Sequence, residues 1–217
     1  MHFDRRNLRE TFQKIAIGTS APYLFQLNSN HLETEAPPRP VRHSQTTITE
    51  LMIPSYSNFG GKIHGGIILS LMDKVAYACS SKHAGTYCVT VSVSNVEFLQ
   101  PVEVGELVSL LASVNYVGRT SLIVGIRVEA LNVKTGNVKH TNSSFFTMVA
   151  KGEDEKPMVV PKLILETEED VKRFIESVNV KKIKADAKEQ MDDVKSTAQI
   201  GDAKQILKDE RCIIKYE

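Results

Sequence analysis

The 217-residue chain predicts an α+β domain, one antiparallel sheet wrapped round a long central helix, with an N-terminal arm and a charged, helical C-terminal tail. Three observations carry that expectation. Between residues 64 and 81, Ile67, Ile68, Leu71, Met72, Val75, Ala76 and Cys79 recur at helical spacing, and Asp73 and Lys74 are the only acidic or basic charges. After Gly85 the period falls to two. Val89, Val91 and Val93 alternate with Thr90, Ser92 and Ser94, and Leu122, Val124, Ile126 and Val128 alternate with Ile123, Gly125, Arg127 and Glu129. Charge density then changes: residues 162–217 hold 12 basic and 13 acidic side chains, against 15 and 13 in the first 161.

Taken in order, residues 1–45 read as an arm and linker. A short amphipathic helix is expected over residues 7–17, and successive prolines in Ala36-Pro37-Pro38-Arg39-Pro40 deny the chain regular structure. Residues 46–53 form a strand closed by Pro54, and residues 55–61 a polar, glycine-containing loop. The helix of residues 64–81 is apolar nearly all round and is expected to be buried on most sides. Four strands follow, the last three centred on residues 107–117, 122–129 and 138–150. The breaks at Gln100-Pro101 to Gly105, Gly118-Arg119 and Lys134-Thr135-Gly136-Asn137 are short enough to predict antiparallel pairing of neighbours. One strand, one buried helix and four strands close economically if the sheet curls round the helix. That unit occupies residues 46–161, and residues 162–217 are a solvated, charged extension.

Composition removes several function classes. With 27 basic and 26 acidic residues the formal charge is +1, so the field expected of a duplex nucleic-acid binder is missing. The three cysteines, Cys79, Cys88 and Cys212, are odd in number and match no metal or redox spacing, which fits a reducing compartment. No apolar run is long enough to span a membrane, and Asp4 and Glu10 interrupt the N-terminus where a secretory signal would be apolar. A cytoplasmic protein with no membrane span is expected. His64, His83 and His140 show no metal-ligand spacing, so no metal site is expected.

Chemistry concentrates where the loop meets the central helix, around His64-Gly65-Gly66. Free amides and the positive end of the helix dipole point at whatever lies there, and glycines let a ligand approach the backbone closely. Such a place suits a developing oxyanion, although a glycine pair by itself equally suits a tight turn. Asp73 is the only acidic residue between Glu50 and Glu97 and sits about two turns into the apolar helix. If buried, it would titrate above the ordinary carboxylate range and be suited to act as a general base; otherwise it lies, with Lys74, on an exposed stripe of a half-buried helix.

The chain resembles the hotdog-fold acyl-CoA thioesterases, in particular the branch that includes the brain-type cytosolic acyl-CoA hydrolases. The resemblance runs through His64-Gly65-Gly66, Leu71-Met72-Asp73-Lys74-Val75-Ala76, Val96-Glu97-Phe98-Leu99-Gln100-Pro101-Val102 with Gly105-Glu106, Phe145-Phe146-Thr147-Met148-Val149, Val160-Pro161-Lys162-Leu163 and Glu166-Thr167-Glu168-Glu169-Asp170. It covers roughly residues 46–178. It implies hydrolysis of a fatty acyl-CoA to free acid and coenzyme A, without metal or redox cofactor. Asp73 would orient or deprotonate water, and the amide of Gly66, with Gly65, would hold the thioester oxyanion. No GxSxG elbow supports a covalent serine route.

The family commonly supplies an asparagine from the facing unit just before the HGG triplet. Here that position is Lys62, with Asn58 four residues earlier. Asn58, Lys62 acting on the carbonyl or on coenzyme A phosphate, and Asp73 alone all stay open, with Asn58 ranked slightly first. His64 is read as positioning the loop. By the same resemblance Gly118, Arg119, Thr120 and Ser121 form a candidate coenzyme A phosphate loop, offering amides, hydroxyls and a guanidinium; an ordinary hairpin is the alternative. A single hotdog unit leaves an edge strand open, so a homodimer is expected, and relatives often join three dimers into a hexamer. The rival reading is a non-catalytic acyl-CoA or lipid-binding hotdog protein, motivated by Lys62.

Overall fold

The computed structural model describes residues 36–197, 203–213 and 215; the short helix expected over residues 7–17 lies outside them. The elements are β1 (Arg39–Pro40), α1 (Val41–Ser44), β2 (Thr46–Leu51), a 3-10 turn (Pro54–Tyr56), α2 (Gly65–Ala84), β3 (Cys88–Val93), β4 (Leu107–Val117), β5 (Ser121–Leu131), β6 (Val138–Ala150), β7 (Leu163–Ile164), α3 (Glu168–Thr197) and α4 (Ala203–Ile206). Five strands form one sheet in the order β2-β4-β5-β6-β3, antiparallel throughout. α2 lies against it and touches all five strands.

The core is the seam the helical and two-residue periods define. Met72, Val75, Ala76 and Cys79 from α2 are fully buried against Val108, Leu110, Val114, Leu122, Val124, Val128, Phe146 and Met148 from the sheet. Phe146 points into this core, whereas Phe145 faces the other side. Removing a side chain of this size from water contributes about 1.5–3 kcal/mol, so α2 is held mainly by packing.

α2 begins and ends with explicit caps. His64 is its N-cap, and the Gly66 amide donates to His64 Nδ1 at 3.0 Å. At the far end Gly85 adopts φ +76°, and its amide donates to the Ser81 carbonyl at 2.8 Å. Two more terminal carbonyls, of Lys82 and His83, accept from the Arg39 guanidinium at 3.0 and 2.7 Å.

That arginine belongs to the segment expected to be linker, and the boundary at residue 46 moves accordingly. β1 pairs in parallel with β7, the Arg39 amide donating to the Lys162 carbonyl at 2.9 Å. Pro40 is tolerated because this short edge pairing uses the amide of its neighbour. In α1, Val41 and Ser44 are buried, and the Ser44 hydroxyl accepts from the Val114 amide at 2.9 Å.

Two other expectations change. β3 does not pair with β4, its successor in the chain; it pairs with β6 at the opposite edge of the sheet. Residues 94–106 carry the chain across, bonding on the way to Thr141 and Ile63. Nor is α2 apolar all round in its surroundings: Ser70, Asp73, Lys74 and Tyr77 form an exposed stripe.

Within the charged extension α3 is a helix of 30 residues, and part of it packs on the convex face of the sheet. Its start is a capping box. Asp170 N–H donates to Thr167 Oγ1, while Asp170 Oδ2 accepts from the amides of Glu166 and Thr167, each at 3.1 Å. Phe174 stacks on Tyr116 with ring centroids 5.2 Å apart, and Lys181 Nζ lies 5.2 Å from the same ring. From residue 185 to 196 every side chain is exposed, as a solvated appendage requires.

Candidate active site

Asp73 stands on the exposed stripe of α2, beside the edge strand β3. Of the two readings the sequence left open, the single chain shows the exposed stripe: β3 is the edge strand of the sheet, with no strand beyond it to cover this flank of α2. Its carboxylate is nevertheless held, accepting a 2.6 Å hydrogen bond from Thr90 Oγ1 on β3. This fixes one oxygen and leaves the other free to take a proton. The pair lines a depression of about 310 Å³ with Tyr77 and Tyr87, whose rings lie 5.8 Å apart.

Thr90 was not singled out from the sequence, and the reason is a β-bulge. Simple alternation puts Thr90 and Ser92 on one face and the valines on the other. The register with β6 shifts between Thr90 and Ser92, so Thr90 pairs with Met148, a core-facing residue, while Ser92 pairs with Thr147 on the other face. The signal available in sequence was only a threonine in a valine-rich run.

At the start of α2 the three loop residues divide. The Gly66 amide is already bonded to His64 Nδ1, whereas the Gly65 amide has no acceptor among the described residues. A Cβ at Gly65 would come within 3.1 Å of the Phe98 ring, tighter than an ordinary contact, so a larger residue here would need that exposed ring to shift. Asn58 folds over its own turn, Oδ1 accepting from the amides of Gly60 at 2.9 Å and Lys62 at 3.2 Å; the residue is exposed, and its Nδ2 donor has no acceptor among the described residues. Lys62 is engaged elsewhere, its Nζ 2.6 Å from Glu103 Oε1.

Gly65 and Asp73 are not brought together within one chain. They are eight positions apart on α2, about 12 Å along the axis at 1.5 Å per residue. The Gly118-Arg119-Thr120-Ser121 loop is farther still from Gly65. It joins β4 to β5 at the end of the sheet where Ser121 faces Val149 and Cys88 faces Ala150. The start of α2 is tied to the opposite end, through Ile63 N–H to the Val102 carbonyl and His64 N–H to the Tyr56 carbonyl. The loop itself is a tight hairpin, closed by Gly118 N–H to the Ser121 carbonyl at 2.7 Å. The Arg119 guanidinium is exposed and has no partner among the described residues.

A larger cleft, about 520 Å³, lies between the convex face and α3. Its arginines are already paired, Arg127 with Glu129 and Arg173 with Glu169. Among the described residues no cluster of three or more His, Cys, Asp or Glu could hold a metal ion. Cys79 and Cys88 are buried core residues, and burial pushes the Cys79 thiol up to about 12, which keeps it unreactive. No helix among the described residues is long and apolar enough to cross a membrane.

Residues 60–137 match the family model described as the thioesterase superfamily. Protein VdlD of Helicobacter pylori is 40% identical over 153 residues, 70% of this chain and 86% of the relative. The cytosolic acyl coenzyme A thioester hydrolase of Mus musculus is 33% identical over 141 residues, 64% of this chain but only 37% of the mouse protein. Among solved structures, an apo-hexameric acyl-CoA thioesterase superposes with a TM-score of 0.68 at 35% identity, covering 70% of this chain and 97% of that one. With the curled sheet, the enclosed helix and the HGG entry all present, the chain belongs to the thioesterase superfamily, within its hotdog-fold acyl-CoA thioesterases.

Proposed function

We propose that this protein hydrolyses acyl-CoA thioesters to free acid and coenzyme A, at sites completed by a second copy of the chain. The observation that carries the reading is the Asp73–Thr90 pair beside an open sheet edge. In the reaction, water attacks the thioester carbonyl as Asp73 takes its proton. The carbonyl oxygen becomes an oxyanion, its collapse back to a carbonyl breaks the carbon–sulfur bond, and the leaving coenzyme A thiolate takes up the proton that Asp73 accepted. A thioester is electrophilic enough for this without a metal or redox cofactor.

The oxyanion donors must lie 2.7–3.1 Å from that oxygen, roughly, while the base reaches the attacking water at the same carbon. With about 12 Å between Gly65 and Asp73, one chain cannot supply both to one carbonyl. Two copies can, if Asp73 of one faces Gly65 and Asn58 of the other. Gly66 joins them by exchanging its bond to His64, since a developing oxyanion is a stronger acceptor than a neutral imidazole. Lys62, paired with Glu103, is the weaker claimant to the second catalytic role.

The open edge of β3 supports a homodimer with sheets running on across it. Val91 and Val93 are 60% and 43% exposed there, and Tyr77 and Tyr87 stand beside them. Three such dimers would give a hexamer, and a hexamer is the assembly named for the solved acyl-CoA thioesterase. Arg119 with Thr120, Ser121 and Gly118 is assigned to coenzyme A phosphate, on the strength of its unpaired guanidinium. A cytoplasmic setting is part of the same proposal, supported by the mouse relative's name.

The test is thiol release from a panel of acyl-CoAs, acetyl to stearoyl. Asp73→Ala is expected to lower kcat by about 100-fold or more. Mixing Asp73→Ala with Asn58→Ala subunits should restore about a quarter of wild-type activity, because half of randomly formed dimers carry one intact site. Tight acyl-CoA binding without turnover by the wild type overturns hydrolysis in favour of the binding-protein reading. Absence of any rescue on mixing overturns the shared site.

A further inference from the structure

β3 is short, bonded on one side only, and interrupted by a bulge, yet it presents the hydroxyl that holds Asp73. Something must keep its geometry. On the convex face, Tyr116, Ile123, Thr147 and Ser92 stand in register on β4, β5, β6 and β3. α3 reaches both ends of that row. Phe174 and Lys181 engage Tyr116, and Lys184 Nζ donates to Ser92 Oγ at 2.6 Å. Ile123, though on the outer face, is buried in the middle of the row.

Because of the bulge, Thr90 and Ser92 point to opposite faces although only Val91 separates them. The same three residues are thus gripped from inside by Asp73 and from outside by Lys184. Lys184 is partly buried, burial holds its ammonium below the usual lysine range, and no carboxylate pairs with it among the described residues. The Ser92 hydroxyl is the polar partner the structure gives it.

We infer that Lys184 is a positioning residue for the hydrolytic site: by fixing Ser92 it holds the β3 bulge in the form that aims Thr90 at Asp73. The inference rests on the assignment of Asp73 above. It makes the C-terminal helix, which touches no reacting group, a determinant of turnover through one side chain.

The test uses the full chain and the acyl-CoA of the panel that is turned over fastest. Lys184→Met should lower kcat about tenfold, as small misplacements of reacting groups do, with KM changed less than about twofold. Lys184→Arg should recover most of the loss, because a guanidinium can still donate to the serine. Ser92→Ala removes the same bond from the strand and should match Lys184→Met, which keeps the test intact if the methionine variant does not fold. In a Thr90→Val background Lys184→Met should have no further effect on kcat. If its effect instead multiplies with that of Thr90→Val, or if melting temperature falls while kcat stays at wild type, the positioning role is overturned. Wild-type kcat in Lys184→Met beside an inactive Asp73→Ala removes this inference alone; a fully active Asp73→Ala removes the assigned function, and this inference with it.

Discussion

The two long helices of this protein lie on opposite faces of one sheet and are held there by different physics. α2 has 20 residues, nine of them buried, and touches every strand. α3 has 30, yet it docks through a narrow line of Phe174, Ser177, Val180, Lys181 and Lys184, and residues 185–196 face water. Its apolar side chains do not all serve docking: Ile175 and Ile183 are exposed. The lesson is a division of labour. Apolar burial makes α2 inseparable from the sheet, and aromatic and cationic contacts to single strands make α3 a strap. Each helix grips the β3 bulge through a polar residue: Asp73 from within, and Lys184 from without.

The sharpest way to break this contrast is to truncate one side chain in each helix. Met72→Ala, at a fully buried position, should lower unfolding free energy by about 2–5 kcal/mol in chemical denaturation, with loss of the cooperative transition if the starting stability is small. Phe174→Ala removes the ring stacked on Tyr116 and should lower it by roughly 1–2 kcal/mol, since the side chain is only partly buried. Equal effects would mean that α3 is as much a core element as α2.

A smaller effect separates the two ends of α2 by pH. His83 is fully buried near the helix C-terminus, and its Nε2 donates to the Pro161 carbonyl at 3.0 Å. Burial, with Arg39 and His43 nearby, pushes its folded-state pKa below the ordinary histidine range, against the upward pull of that carbonyl. The unfolded chain therefore binds the proton more readily, and His83 withdraws stability as pH falls through about 6.5 and below. Melting temperatures of the wild type should drop between pH 7.5 and 5.5, and His83→Gln should show a shallower drop over the same window. An unchanged slope would assign the acid sensitivity to other groups.

How much of the site was legible follows the range of each signal. His64-Gly65-Gly66 and Asp73 are local features, an entry to a helix and a lone carboxylate upon it, and both appear where the periodicity put them. Thr90 was hidden because a bulge is a property of a strand pair, and alternation read along one strand cannot reveal it. The commitment of Gly66 to His64 and of Lys62 to Glu103 was equally hidden, since each depends on where a side chain turns. The proline-rich segment misled for a related reason: local rigidity was visible, whereas the partner strand 124 residues later was not.

By itself, then, the amino-acid order determined α2, the strands β2 to β6 and the inward faces of α2 and β5, because a period of 3.6 or two leaves a record in every few residues. Tertiary structure alone decided that β3 lies at the far edge beside β6, that Asp73 meets Thr90 there, and that the C-terminal helix crosses to Ser92. These are contacts between segments distant in the chain, and their energies depend on three-dimensional closure of the sheet, which no local pattern encodes.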